Sequence, residues 1–165
     1  MGDSVRKQIN LRKAVFQDMD DIFSWRNDLE TRKQSFNPNP ISYSEHRQWF
    51  KKILKSPKHL LYLAVDQKGE KCGVARIDIK NRQVAEININ VAPTYRGKGI
   101  GEEMTSQVTK KLFSKRKIRF LLARVKEKNI PSLKLFSKIG FFEIFDYVDK
   151  KAGKVIVLGY LNLGK

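Results

Sequence analysis

The chain has 165 residues, with 34 Lys and Arg against 17 Asp and Glu, so its formal charge is +17. Hydrophobic residues make up 41%, including 10 Phe, enough to bury the core of one domain, expected to span residues 1–165. The excess of cations favours an anionic partner (nucleic acid, acidic protein or a phosphorylated small molecule), while the single Cys72 excludes a disulfide framework and suits the reducing cytoplasm.

The opening "MGDSVRKQINLRKA" has no apolar signal core and sets Arg6 where a myristoylation pattern needs Ser or Thr. Residues 9–14 read as a first strand, and residues 18–29 carry Met19, Ile22, Phe23 and Leu29 at helical spacing. The stretch "SFNPNPIS" (35–42) is a loop punctuated by Pro38 and Pro40. Ser42 and Glu45 then form the S-x-x-E capping box of another helix, with Trp49, Phe50, Ile53 and Leu54 as its buried stripe. Residues 60–65 and 72–79 read as strands joined by a hairpin turn at Gly69, and residues 84–91 as the strand that follows. A helix over 99–114 repeats Ile100, Met104, Val108 and Leu112 at every fourth position. After a strand over 119–125, Pro131 lies in the first turn of a helix that Gly140 is placed to end in a left-handed cap. Residues 141–147 and 155–161 close the chain as a hairpin, and the second is the longest apolar run, well short of the roughly 18 residues of a membrane helix. The order β-α-α-β-β-β-α-β-α-β-β argues for an α/β (α+β) fold, a mixed, mostly antiparallel sheet flanked by helices. The densest cationic run, "KKLFSKRKIR" (110–119), fits the exposed end of a helix. It carries one aromatic and no nucleic-acid-binding signature, so nucleic acid is not the expected partner.

"VAPTYRGKGIG" (91–101) leaves a strand, turns at Pro93 and enters the helix at 99–114. A loop of this kind offers free N–H groups and the positive end of a helix dipole to an anion, and glycines let its backbone approach without Cβ clashes. The dinucleotide fingerprint G-x-G-x-x-G is excluded, because Gly97, Gly99 and Gly101 are spaced by two and Glu102 follows. The Walker A pattern is excluded because no Gly-Lys-Ser/Thr ends the loop. On spacing alone an ordinary glycine-rich turn stays open.

"INVAPTYRGKGIG" resembles the acetyl-CoA-binding motif of the GNAT acyltransferase superfamily, R/Q-x-x-G-x-G/A, here Arg96, Gly99 and Gly101. "NIPSLKLFSKIGF" (129–141) resembles that superfamily's N-x-x-(S/A)-x-x-x-(Y/F)-x-x-x-GF signature, and the element order matches over nearly the whole chain. The resemblance implies a single GNAT-like domain and an acetyl-CoA-dependent N-acetyltransferase that needs no metal. It implies that the backbone N–H groups of Arg96, Gly97, Lys98, Gly99, Ile100 and Gly101 cradle the CoA pyrophosphate, with Arg96 and Lys98 adding positive charge. Backbone groups of Ile89, Asn90 and Val91 would pair with the pantetheine arm and polarise the thioester carbonyl. Asn129, Ser132 and Phe136 would border the cofactor from the other side, where two neighbouring strands splay apart. Two positions depart from the family pattern. Phe136 stands where many members carry a Tyr that protonates the leaving thiolate. Arg124 stands where the protein-N-terminus acetylases often carry Glu.

Transfer to an amine rests on positioning, oxyanion stabilisation and a general base. In "VAEININV" (84–91), Glu86, Asn88 and Asn90 share one face and Ala85, Ile87, Ile89 and Val91 the other. The polar face should look onto a wet cleft, with Glu86 as the base. "FSWRNDLETRKQSFNPNPISYSEHRQWFKKIL" resembles the acceptor region of family members that acetylate nucleotide-linked amino sugars, such as those of the pseudaminic-acid pathway. On that resemblance Arg26, Arg32 and His46 line the acceptor pocket, with Asn88 facing it and Arg76 beside Glu86, since Arg binds phosphate bidentately. A helix-face role for His46 and surface roles for Arg26 and Arg32 stay open. The expected activity is cytoplasmic N-acetylation of a nucleotide-activated amino sugar, away from any membrane, with a homodimer as an allowed assembly. Alternatives are acetylation of a protein N-terminus or of a small-molecule amine such as an aminoglycoside or a polyamine, the last disfavoured by cationic repulsion. A binding module that has kept CoA only as a ligand is the reading from a different class.

Overall fold

The alternation of "VAEININV" is realised in β4 (Val84–Val91): Ala85 and Ile87 are buried on one face, while Glu86, Asn88 and Asn90 turn to the other. The computed structural model describes residues 8–115 and 118–162. Arg6, and Arg116 and Lys117 of the cationic run, lie outside the described residues. Strand β4 sits in the middle of a seven-stranded sheet with β1 (Ile9–Lys13), β2 (His59–Asp66), β3 (Lys71–Ile79), β5 (Phe120–Lys126), β6 (Phe142–Asp149) and β7 (Gly153–Leu161). The spatial order is β1-β2-β3-β4-β5-β7-β6, antiparallel throughout except where β4 meets β5. The fold is therefore the mixed, mostly antiparallel sheet with helices that the element order implies.

One face is covered by α4 (Ile100–Lys115) and α5 (Ile130–Ile139), whose Ile100, Met104, Val108, Leu112 and Phe136 pack on Ala75, Ile77, Ala85, Ile87 and Leu121. The opposite face is covered only over β1–β4, where Ile22 and Trp25 of α1 (Met19–Asn27) and Phe50 and Ile53 of α3 (Tyr43–Lys55) pack on Leu61, Leu63 and Val74. The apolar stripe of α3 is narrower than expected. His46, Phe50 and Ile53 follow one line of the helix inward, leaving Trp49 and Leu54 on its flanks, each 36% exposed.

The segment read as one helix from 18 to 29 breaks at Asp28, which takes an extended ψ of 137°. Its carboxylate accepts the Thr31 N–H at 3.0 Å and caps a further helix, α2 (Leu29–Gln34), which adds one element to the expected order. Asp competes with the helix for backbone donors, which is why it starts α2 instead of continuing α1. The other caps agree with the sequence. Ser42 and Glu45 exchange the reciprocal bonds of a capping box, and Gly140 closes α5 at φ 106°; Asn129, expected only as a cofactor neighbour, also caps α5.

The entry to α1 is tied to the sheet through Asp18, only 1% exposed, which takes Arg12 at 2.7 and 2.8 Å and Lys71 at 3.0 Å. Burial works against the charge, but Arg12, the Val15 N–H and Lys71 outweigh it and hold the carboxyl down at about 2. Most consequential for function is the β4/β5 ladder. It holds only from Val84↔Phe120 to Glu86↔Leu122, although β4 runs on to Val91 and β5 to Lys126. Strand β5 stays paired with β7 along its whole length, so the two parallel strands separate and a gap opens in the sheet.

Candidate active site

The glycine loop crosses the end of that gap. Its entry is pinned by Tyr95, whose hydroxyl donates to Asp66 Oδ2 at 2.9 Å; this carboxylate pushes the phenol up to about 12. Gly97 and Gly99 have φ of +70° and +76° in open surroundings, so it is the left-handed backbone that demands glycine there. Gly101 is close-packed for a different reason: a Cβ would lie 2.6 Å from Leu135 Cδ1, so a side chain there would force Leu135 to swing aside.

Hydrogen bonding along the loop stops with the Arg96 N–H on Pro93 O at 3.4 Å and resumes with the Glu103 N–H on Gly99 O at 3.1 Å. The N–H groups of residues 97–102 find no acceptor among the described residues. Consecutive free donors at a helix N-terminus form an anion cradle, and a pyrophosphate fits its chemistry. The cradle is displaced by one residue from the expected 96–101, because a single 3-10 turn at Pro93–Tyr95 uses the Arg96 N–H. The Arg96 side chain also departs from expectation. Its Nη2 donates to Asp28 Oδ2 at 2.6 Å and to Thr31 Oγ1 at 2.8 Å instead of adding free charge to the loop. Lys98 stays beside the loop, with Nζ on Thr94 O at 2.5 Å and over the Tyr95 ring.

Across the gap, Asn129 Oδ1 accepts the Ser132 N–H at 3.2 Å, so this pair forms the first turn of α5 just after β5 ends. Phe136 is not exposed beside them. It is 5% exposed and edge-on to Phe141 at 4.9 Å between centroids, a core aromatic whose burial excludes it from the wall of the gap. Ile89 and Val91 are partly buried against the same core, and Asn90 Oδ1 accepts from Thr31 Oγ1 at 3.3 Å.

On the polar face, register sets Glu86 opposite Asp78, Asn88 opposite Arg76 and Asn90 opposite Val74. Asn88 and Arg124 are exposed although their strands lie inside the sheet, which marks an open cleft above its centre. Glu86 is 11% exposed there; Oε1 takes Arg124 Nε at 2.7 Å and Oε2 faces Lys80 Nζ at 2.8 Å. Arg124 also stacks over Phe36 at 5.3 Å, so it links β4 and β5 to the loop that carries Phe36.

Arg26 Nη2 donates to Asn37 O at 2.9 Å, and Arg32 donates through Nη1 to Pro38 O and through Nε to Asn27 O. Asn27 in turn exchanges two bonds with the backbone of Ile41, so these residues shape the loop over 35–41. Arg26 Nη1 is buried without a hydrogen-bond acceptor among the described residues, whereas Arg76 Nε faces Asp78 Oδ2 in an ion pair at 3.3 Å. Burial first, then the like charges of Arg32 and Arg76, hold the Arg26 guanidinium below the usual arginine range. Arg26, opposed by two like charges and left with an unused buried donor, suits an anion.

His46 does not belong to this group. It is 1% exposed between α1 and α3, with Nε2 on Met19 O at 3.1 Å and its ring against Phe23, Trp49 and Phe50. The sequence alone does not single out Asp28 and Thr31, whose only local signal is a capping pattern, or Phe36, which carries none. Among the described residues no helix is long and apolar enough to cross a membrane, and no three His, Cys, Asp or Glu gather to hold a metal.

A family model described as "Acetyltransferase (GNAT) domain" matches residues 8–142. The chain is 26% identical over 154 residues to "Putative phosphinothricin acetyltransferase YwnH" of Bacillus subtilis strain 168, covering 88% of this chain and 93% of that protein. It is 28% identical over 138 residues to the uncharacterized protein MJ1062 of Methanocaldococcus jannaschii, an alignment that spans 81% of this chain and 28% of the longer protein. The spermidine N-acetyltransferase of Vibrio cholerae, solved with CoA and spermine, superposes with a TM-score of 0.85 at 20% identity, over 93% of this chain and 95% of that one. That likeness shows the fold.

Proposed function

The chain belongs to the GNAT acetyltransferase family and is an acetyl-CoA-dependent N-acetyltransferase, and from that premise we propose that residues 1–165 act as one domain on an anionic acceptor, the amino group of a nucleotide-activated amino sugar of the pseudaminic-acid type. The observation that carries this reading is Arg26 set beside Arg32 and Arg76, with its buried Nη1 donor left unpaired while Asp78 engages Arg76. A diphosphate satisfies such donors bidentately and removes their mutual repulsion. A polyamine adds positive charge to the same place, so the substrate of the spermidine enzyme is not carried over. An acidic amino-acid-like amine of the phosphinothricin kind, named for YwnH, is the second reading, because it too brings an anion beside its amine.

Acetyl-CoA supplies the acetyl group as a thioester. The N–H groups of Gly97, Lys98, Gly99, Ile100, Gly101 and Glu102 are the proposed pyrophosphate cradle, with Lys98 as nearby charge. Backbone groups of Ile89, Asn90 and Val91, past the end of the β4/β5 ladder, hold the pantetheine arm and polarise the carbonyl. Asn129 and Ser132 border the far side through the first turn of α5. Glu86 is the proposed base, acting through a water because Arg124 and Lys80 already engage its two oxygens. Asn88 orients the acceptor, and Arg26, Arg32 and Arg76 grip its phosphates. With Phe136 buried, the thiolate takes its proton from solvent in the open gap.

Thiol release from acetyl-CoA, followed with a UDP-linked 4-amino sugar beside N-terminal peptides and spermidine, tests the acceptor. Turnover with the sugar nucleotide is expected, and turnover confined to peptides or spermidine contradicts it.

A further inference from the structure

Arg96 precedes the cradle yet points away from it. Its Nη2 lies 2.6 Å from Asp28 Oδ2 and 2.8 Å from Thr31 Oγ1, both at the start of α2, and Thr31 Oγ1 continues to Asn90 Oδ1 on β4. We infer that Arg96 is a positioning residue, a latch that fixes the donor loop against α2 through Asp28 and Thr31 and so prepares the cradle for CoA. The inference rests on residues 97–102 being the pyrophosphate site.

Three observations support it. A stretch with Gly97 and Gly99 at positive φ and no internal hydrogen bonds has much backbone freedom to lose when it closes on a ligand. Anchoring its first residue in advance removes part of that loss. The anchor is also two-sided. Tyr95 bonds Asp66 at the tip of β2, and Arg96 reaches the opposite way to α2, so adjacent side chains hold the loop entry from both sides. Finally, the Arg96–Asp28 pair is half-buried, and although burial opposes its charge, the Thr31 N–H and the Arg96 guanidinium hold Asp28 below the usual carboxylate range. The same short helix carries Arg32, whose N–H bonds Asp28 O at 2.9 Å. The latch therefore also ties donor-loop order to the segment bearing the acceptor cations.

Calorimetric titration of CoA tests this without any acceptor. Asp28→Asn keeps a good helix cap but removes the ion pair, and it weakens CoA binding about tenfold. Arg96→Gln does the same, and the double variant is no weaker than either single one, because both break one contact. Asp28→Glu caps poorly but restores the charge, so it binds CoA more tightly than Asp28→Asn; a purely structural role for Asp28 gives the reverse order. If Arg96 were itself a phosphate ligand, Asp28→Asn would release it and leave CoA affinity unchanged or improved, which overturns the latch. Gly99→Val, strained at φ +76°, separates the two layers. Loss of CoA by Gly99→Val with wild-type binding by Asp28→Asn refutes the latch alone. Wild-type binding by Gly99→Val refutes the cradle and the latch with it.

Discussion

In the proposed mechanism, the donor half of the site, from β4 through the glycine loop to α5, works mainly through its backbone. The acceptor half, from α1 to α3, works through side chains gathered from several elements. On the donor side the working groups are unpaired N–H donors of residues 97–102 and strand edges exposed where β4 leaves β5. On the acceptor side they are Arg26 on α1 and Arg32 on α2, tied to the loop at Asn37 and Pro38, and Arg76 on β3, paired with Asp78. A backbone site is set by local geometry and tolerates little change at its glycines. A side-chain site can be retuned by single substitutions, which fits a shared donor and a variable acceptor.

The sharpest way to break this contrast is at Gly101. Gly101→Leu must displace Leu135 and crowd Val91 where α4 begins, and it weakens CoA binding on the order of a hundredfold, as read by calorimetry. The acceptor half responds differently. Arg26→Gln with Arg76→Gln raises the KM for a UDP-linked 4-amino sugar by roughly tenfold to a hundredfold while the KM for acetyl-CoA stays put. Equal changes in both constants would mean that the two halves are not separable. Glu86→Gln lowers kcat by roughly a hundredfold with little change in either KM.

A smaller effect tests what supports the acceptor side. Asp18→Asn strips Arg12 and Lys71 of their shared partner and destabilises the fold by about 2 kcal/mol at neutral pH. Because the folded carboxyl lies near 2, below its unfolded value, this stabilisation is complete above pH about 4 and drains away as pH falls towards 2. Denaturation curves of wild type and variant should therefore converge on acidification. The smallest effect concerns His46. His46→Phe keeps the aromatic packing, leaves acceptor KM unchanged and alters stability by about 1 kcal/mol or less. Burial holds the His46 ring below its usual range, so the wild type, unlike this variant, loses stability as pH falls below about 6.5.

The same contrast explains what could be read from the chain. Gly97, Gly99, the Gly140 cap and the alternation of Glu86, Asn88 and Asn90 are local constraints that leave fixed marks at fixed spacings. Arg96 escaped because a 3-10 turn takes its N–H and a carboxylate 68 positions earlier takes its side chain. Asp28 looked like the interior of one helix, since its capping role depends on an extended ψ that composition does not reveal. His46 lies three and four residues before Trp49 and Phe50, a spacing identical for a pocket histidine and a packed one. Only the approach of Met19 and Phe23 from α1 decides between them. Arg26 and Arg76 are fifty positions apart, and nothing local links them.

The most direct test of the anionic-acceptor account is titration of UDP and of spermidine into the CoA-saturated protein. The account predicts that UDP binds, that Arg26→Gln with Arg76→Gln abolishes that binding, and that spermidine gives no heat. Binding of spermidine with no binding of UDP would contradict it.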